Sequence, residues 1–340
     1  MFSLKLIIQN WWNRFLLRRN SEKVSAQVHE TSVTSVVIST FSKLFVLCLF
    51  GVVILFPFFM MISISLMTDN EAEILKNNFL FFTKFEKGNT VIDGTQHNVE
   101  WKEVVENTFH RAFSYGYWSS ILFTSLNVLI SVVLKVFITI FMGYAFSLRN
   151  WRGKNLVWFI ALSLLVLPEV ALLSGQVRVV KQLNLNSTYV GFLFTVAVPF
   201  VASVFNATMY KNAFESIPGR IKEVALIDGA VGAKYLFKIA IPMVVPTTFT
   251  IVILTALASW NAYLWPITIA TDTNDVQVIS VWLFRAGIDP NVTGESGNIV
   301  YQNVKMAAAI IAILPMFIVY LLFRKSIMRA ISRQGSTIKG

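Results

Sequence analysis

Charge is scarce in this chain of 340 residues: Asp, Glu, Lys and Arg together make up 14%, against about 25% in a soluble domain. With 55% hydrophobic residues, the balance is that of an integral membrane protein, and the length need not imply two soluble domains. Cysteine is nearly absent. The single Cys48 excludes an internal disulfide and lies in an apolar run, where it reads as a small packing residue. Histidine is almost as rare. His29, His97 and His110 are scattered without ligand spacing, so no metal site is expected. No Walker sequence G-x-x-x-x-G-K-[ST] occurs, which excludes ATP hydrolysis by that route. No cofactor is expected, and there is no evident internal repeat. A net charge of +11 raises nucleic acid as a partner. The basic residues cluster beside apolar runs, however, as membrane orientation requires, so the expected partner is lipid and not nucleic acid.

What is present in abundance is long apolar sequence. A bilayer core of about 30 Å needs roughly 20 apolar residues in helix. Six stretches meet that test: Leu44–Met67, Trp118–Leu148, Asn155–Gly175, Thr188–Tyr210, Thr247–Ala270 and Val304–Phe323. Pro168-Glu169 interrupts the third and Pro199 the fourth, which suits either helices bent around a pathway or simple packing kinks. Lys and Arg fill the segment before the first span, the turn at 149–154, the loop at 211–238 and the tail after 323. Acidic residues favour 68–117 and 271–303. The expectation is an all-α, multi-pass protein of the cell (inner, cytoplasmic) membrane with six transmembrane helices and both termini cytoplasmic. Its expected parts are an N-terminal segment 1–43, a first span 44–67, a long external loop 68–117, a core 118–323 and a tail 324–340. Met1 to Arg19, with Trp11, Trp12 and Phe15 among basic residues, suits a helix lying in the membrane interface, not a cleaved leader; a disordered tail with a few aromatics is the alternative. Within 68–117, residues from Trp101 to about Phe113 read as a helix, and Phe79-Leu80-Phe81-Phe82 supplies aromatic anchors. A folded cap and a surface for a partner both fit.

Between the fourth and fifth apolar stretches lies a polar segment, 212–246. Pro218 starts a helix without losing an intrahelical hydrogen bond. The run to Asp228 offers Ile221, Val224, Ala225 and Ile227 for an apolar face, and Gly229 can end it in a left-handed conformation. A second helix, about Val231 to Ile239, leads to Pro242 and Pro246. The expected product is a two-helix elbow, exposed yet partly apolar, of the kind that fits a partner's cleft.

The run Glu223-Val224-Ala225-Leu226-Ile227-Asp228-Gly229, followed after nine intervening residues by Ile239 and then Pro242, closely resembles the E-A-A loop of ABC-importer permeases. Ser216-Ile217-Pro218, Leu185 to Gly191, Ser259 to Pro266 and the closing Gly335 to Gly340 strengthen the resemblance over about residues 115–340. The chain is thereby similar to carbohydrate-uptake permeases of the second maltose or second glycerol-3-phosphate type. The resemblance implies a type I importer fold and a heterodimer with a second related permease. It further implies two ATP-binding subunits that hold the ATP, and an external solute-binding protein or lipoprotein. It implies that Glu223, Val224, Ala225, Asp228, Gly229 and Pro242 meet the ATPase. Three positions depart from the pattern: Val224 replaces a usual alanine, Ala262 stands where aspartate is common, and the 68–117 loop is long.

For the pathway, Lys135 lies mid-span, where a lysine costs about 2.5–3.5 kcal/mol unless it faces the bundle, water or a counter-charge. Glu169 is a candidate counter-charge, and Gln176 and Arg178 follow near the outer end of the third span. Two readings stand, help to a negatively charged solute and structural pairing or snorkelling. Trp260, Asn261 and Trp265 suit either a sugar platform or an interface anchor. The implied cargo is a sugar, polyol or glycerol-phosphate type solute. A membrane-embedded enzyme lacks convergent catalytic groups here, since Ser163, Ser174 and Glu169 have no histidine near them in sequence. A channel or ion-coupled carrier leaves the elbow unexplained.

Overall fold

The computed structural model describes residues 9–15, 33–75, 82–92, 95–114, 116–148, 151–270, 276–294 and 297–336. The chain divides into two compact units, residues 1–58 and 59–340. In the first, a short helix α1 over residues 9–15 stacks Trp11 and Trp12 on Phe15, with ring centroids 6.2 and 5.9 Å apart. All three rings are exposed, as suits a helix whose apolar face meets lipid headgroups. Arg18 and Arg19 lie outside the described residues. α2 (Val33–Ser65) begins well before the expected Leu44. Its apolar stretch, Val36–Ser65, has 30 residues and is about 45 Å long. None of its most apolar window is buried by the chain itself.

The second unit is built around α5 (Tyr117–Ser147), which contributes to each of its three buried clusters. At one end Tyr117 packs with Trp282, Val304 and Ile311. Further along, Phe123 joins Phe192, Val196 and Ile269. At the far end Ile140 meets Tyr210, Phe214, Leu236 and Ile251. The buried side of α5 is largely polar: Ser120, Thr124, Asn127, Ser131, Lys135 and Thr139 recur every three or four residues. In lipid the ordinary pattern inverts, because apolar side chains serve the outside and polar ones bond between helices. Gly143 marks the tightest crossing. A Cβ there would lie 2.4 Å from Cβ of Tyr210 and 2.9 Å from the carbonyl of Ala207.

Three helices are long and apolar enough to cross a membrane unbroken, α2, α5 and α16 (Gln302–Ser336), and three bent pairs raise the number to six. The pair α6 (Lys154–Ser163) and α7 (Glu169–Gln182) turns by 99° after a single 3-10 turn. The pair α8 (Tyr189–Val201) and α9 (Val204–Glu215) turns by 53°. The bend follows Pro199 by three residues instead of falling on it. The reason is local. Proline has no N–H for the carbonyl four residues back, and Trp265 Nε1 donates to that carbonyl, Thr195 O, at 3.0 Å. The same repair occurs in α16, where Pro315 strands Ile311 O and the Tyr117 hydroxyl donates to it at 3.3 Å. The expected fifth span, Thr247–Ala270, divides in two. α13 (Val245–Trp260) ends at Asn261, and α14 (Leu264–Ile269) restarts beyond it around Pro266.

The segment expected as an external loop is a folded cap. α3 (Asp69–Ile74) begins in a capping box. Glu71 N–H donates to Thr68 Oγ1, and Thr68 N–H donates to Glu71 Oε2, at 3.2 and 3.0 Å. β1 (Gly88–Ile92) and β2 (Thr95–Val99) pair antiparallel, Gly88 opposite Val99. Gly88 is required there, since a Cβ would fall 2.2 Å from the Thr68 methyl. α4 (Trp101–Ser114) covers the hairpin, close to the predicted helix. Of the aromatic run, Phe82 stacks edge-on against Phe59 and residues 79–81 lie outside the described residues. A second covering piece follows α14: α15 (Ile279–Arg285) and the bulged hairpin β3 (Ile288–Gly294) and β4 (Gly297–Val300).

Candidate functional site

The elbow forms as two short helical pieces joined by glycine. α10 (Gly219–Ile227) starts after Pro218, whose extended ψ of 136° sets the entry angle. It ends at Gly229, where φ is +66°. Ala230 N–H donates to Ala225 O at 2.8 Å and Gly229 N–H to Leu226 O at 3.1 Å. Those two bonds are the Schellman closure, which satisfies carbonyls a helix end otherwise leaves open. After the glycine come α11 (Ala233–Tyr235), a π-helical turn Leu236–Ala240 and α12 (Ile241–Met243). The expected regular helix over 231–239 is therefore widened. Pro242 cannot bond to the carbonyl of Lys238 and its ring crowds that carbonyl, which a wider turn relieves.

Exposure divides the elbow residues. Glu223, Asp228, Gly229 and Pro242 are exposed, and with them Val224, Leu226 and Ile227, the last at 84%. Ala225 is not. The residue is 3% exposed, and Ala230, which closes the helix on its carbonyl, is buried as well. Ile221 is likewise turned inward, onto the cluster of Tyr210 and Leu236. The outward apolar face is thus Val224, Leu226 and Ile227, and the expectation that Ala225 and Ile221 share it is corrected. A helix this short shows its body a narrow stripe, and the small side chain occupies the closest approach.

The candidate pathway residues do not converge. Lys135 is buried within the α5 seam, next to Ser131 and Thr139. Along that seam Ser259 Oγ donates to Asn127 Oδ1 at 2.9 Å, and Asn127 Nδ2 donates to Leu193 O at 3.0 Å. The side chain of Glu169 lies outside the described residues, while its backbone begins α7. Gln176 and Trp265 do share one space. They line an open groove of about 640 Å³ between α7, α8 and α14, with Gly175, Thr195 and Pro199. Arg178, two residues on from Gln176, is exposed and does not line that groove. Trp260 packs against the cluster around Trp282, and Asn261 Nδ2 donates back to Leu257 O at 2.9 Å. The seam polar groups beyond Lys135 were not singled out in the sequence. Their signal is the recurrence of Ser, Thr and Asn on one face of an otherwise apolar helix.

At the cap end, Asp69 Oδ1 accepts from Arg111 Nη2 and from Asn303 Nδ2, each at 2.6 Å. Arg111 also lies over the Tyr301 ring, 4.9 Å from its centroid. This junction fastens the cap to the start of α16. Glu71 fastens its other edge. Burial alone would raise the Glu71 pKa. Hydrogen bonds from Lys84 N–H, Thr68 N–H and the Thr83 and Thr68 hydroxyls outweigh it, and the carboxyl sits below its ordinary range. Among the described residues, no group of three or more His, Cys, Asp and Glu could hold a metal ion.

A family model for inner membrane components of binding-protein-dependent transport systems matches residues 135–333. A probable ABC transporter permease of Mycoplasma pneumoniae, the MG189 homolog, is 41% identical across the whole of both chains. MG189 itself, of Mycoplasma genitalium, is 39% identical, again across both chains. The sn-glycerol-3-phosphate transport system permease UgpE of Yersinia pestis is 27% identical over 58% of this chain and 66% of its own. Among solved structures, a chain of a bacterial ABC transporter involved in import of the acidic polysaccharide alginate superimposes with a TM-score of 0.64. It is 21% identical and covers 88% of this chain and 99% of its own. At that identity the likeness is one of fold.

Proposed function

Since this chain belongs to the inner-membrane permease family of binding-protein-dependent ABC importers, we propose that it forms half of the pathway for a sugar, polyol or glycerol-phosphate type solute and is driven through the 219–246 elbow. The family transports rather than catalyses, and its members work with a second permease, ATPases and a binding protein. The observation that carries the docking reading is the exposed face of Val224, Leu226 and Ile227 beside Glu223 and Asp228. Three apolar side chains in water are unfavourable on a free surface, and they suit a partner's cleft. The cargo reading leans on the relatives of the glycerol-3-phosphate type and on the groove that Gln176 and Trp265 both line.

Motion of the elbow would pass to α9 and to α13, the helices that flank it in sequence. An ATPase shifts the permease only by as much as it prefers one conformation to the other. The test is crosslinking in the assembled transporter, after Cys48→Ser removes the native thiol. A cysteine at Ile227 should crosslink to the ATPase and one at Ala225 should not. Gly229→Val, which forces a β-branched residue into positive φ, should lower solute-stimulated ATP turnover at least about tenfold, the effect of a few kcal/mol at a strained turn. Absence of any Ile227 crosslink, with normal turnover in Gly229→Val, removes the docking reading.

A further inference from the structure

Behind the elbow, a partly enclosed cavity of about 320 Å³ lies where the end of α5, the end of α9, α10 and the π-helical turn come together. Its polar lining is Tyr144, Ser147, Lys222 and Tyr235, and no carboxylate lines it. The remaining walls are apolar, with Phe214 and Ile217 among them. Tyr235 Oη is fully buried and, among the described residues, has no hydrogen-bond partner. Lys222 is half-buried and makes no ion pair among the described residues. Ser147 Oγ already donates to Tyr144 O at 2.7 Å, so its oxygen is left as an acceptor.

The cavity therefore presents an ammonium and tyrosine hydroxyls as donors, without a fixed negative charge to answer them. Buried donors are ordinarily satisfied, and an orphan one calls for an explanation, a bound ion or ligand among them. The complementary occupant carries negative charge and several acceptor oxygens. A phosphate ester meets both conditions, because its oxygens can take an ammonium and two hydroxyls together. The space exceeds what a bare phosphate fills and suits a phosphate with a short alcohol attached. The setting agrees. The cavity sits at the end of a spanning helix, and exposed Trp151 and the basic residues Lys154, Arg220, Lys234 and Lys238 lie within six residues in sequence of its lining. Tryptophan and lysine of this kind collect at headgroup level, and basic pockets between helices hold anionic headgroups.

We infer that this cavity is a binding site for a phosphate ester, either the headgroup of an anionic phospholipid or a free phosphate ester, seated between the helical bundle and the elbow. The site does not depend on which solute is carried, and its test reads binding instead of transport.

The assembled transporter is placed in nanodiscs of phosphatidylcholine with or without phosphatidylglycerol, and retained lipid is measured by native mass spectrometry. Binding of glycerol 3-phosphate and inorganic phosphate is measured in parallel in phosphatidylcholine alone. Tyr235→Phe removes one hydroxyl and Lys222→Met removes the charge, while Lys238→Met removes an exposed lysine at the same end as a control for the general field. Preferential retention of phosphatidylglycerol that falls about tenfold or more in Tyr235→Phe and Lys222→Met, but not in Lys238→Met, supports the lipid source. The same dependence for glycerol 3-phosphate or phosphate, without lipid retention, supports the free ester. Equal retention in wild type and both cavity variants, with no variant-sensitive binding of either soluble probe, overturns the proposal. Thermal midpoints in detergent, unchanged in Tyr235→Phe, keep a folding defect from mimicking lost binding.

Discussion

Single residues here do work that depends on where the backbone leaves a group unserved. Glu71 is the clearest. Its carboxylate accepts from Thr68, Thr83 and Lys84 and so joins the first turn of α3 to the strand side of the cap. Because its folded pKa lies below the ordinary value, its contribution is complete above about pH 4.3 and is lost as pH falls through the lowered folded pKa. Amide exchange at Lys84 and Thr68 should therefore stay slow from neutral pH into the mildly acidic range and quicken below it. Glu71→Gln should remove that acid transition while already exchanging faster at neutral pH. Of this, the sequence disclosed little, since Thr83 and Lys84 reach Glu71 only through the fold of the cap. Gly229 was different. A glycine closing a helix is a local matter of backbone conformation, so its role could be read directly. Ala225 next to it could not be placed inward without knowing which side of α10 meets the bundle.

At the level of elements, the spans were legible as apolar length and the break before Glu169 as a proline, but the bend after Pro199 is displaced from it and the break at 261–263 had no such signal. A proline announces that one carbonyl will go without its partner; what answers that carbonyl is settled in three dimensions. Trp265 answers Thr195, freed by Pro199, and Tyr117 answers Ile311, freed by Pro315. Trp265→Phe should destabilise the protein by about 1–3 kcal/mol, the usual cost of stranding a buried acceptor. In a Pro199→Ala background the residue at 199 regains an N–H, and the cost of Trp265→Phe should shrink by about 1 kcal/mol or more. Unfolding of the four variants of this cycle in detergent measures the difference. Equal costs in both backgrounds would mean that Trp265 only fills space. The cap shows the converse limit. Its helix α4 was visible in the sequence, while the hairpin before it was not, because Gly88–Ile92 and Thr95–Val99 carry little alternation and the first strand is held by Asn107 and Asp69 from elsewhere.

For the whole molecule, the positions of Lys and Arg predict that the elbow and the cap face opposite sides of the membrane. The three unbroken helices and three bent pairs are compatible with that arrangement. In a Cys48→Ser background, Thr95→Cys in the cap hairpin and Gly229→Cys in the elbow should react with a membrane-impermeant maleimide from opposite faces of intact cells and inverted vesicles. Reaction of both from one face would mean that at least one bent pair turns back without crossing. One further consequence concerns Gly143. With nothing but hydrogen on its α-carbon, α5 and α9 lie backbone against backbone there, with Tyr210 pressed into the gap. Such a junction has no slack to absorb a displacement. Were the elbow driven as proposed, a push arriving at the foot of α9 would pass straight into α5 at this contact.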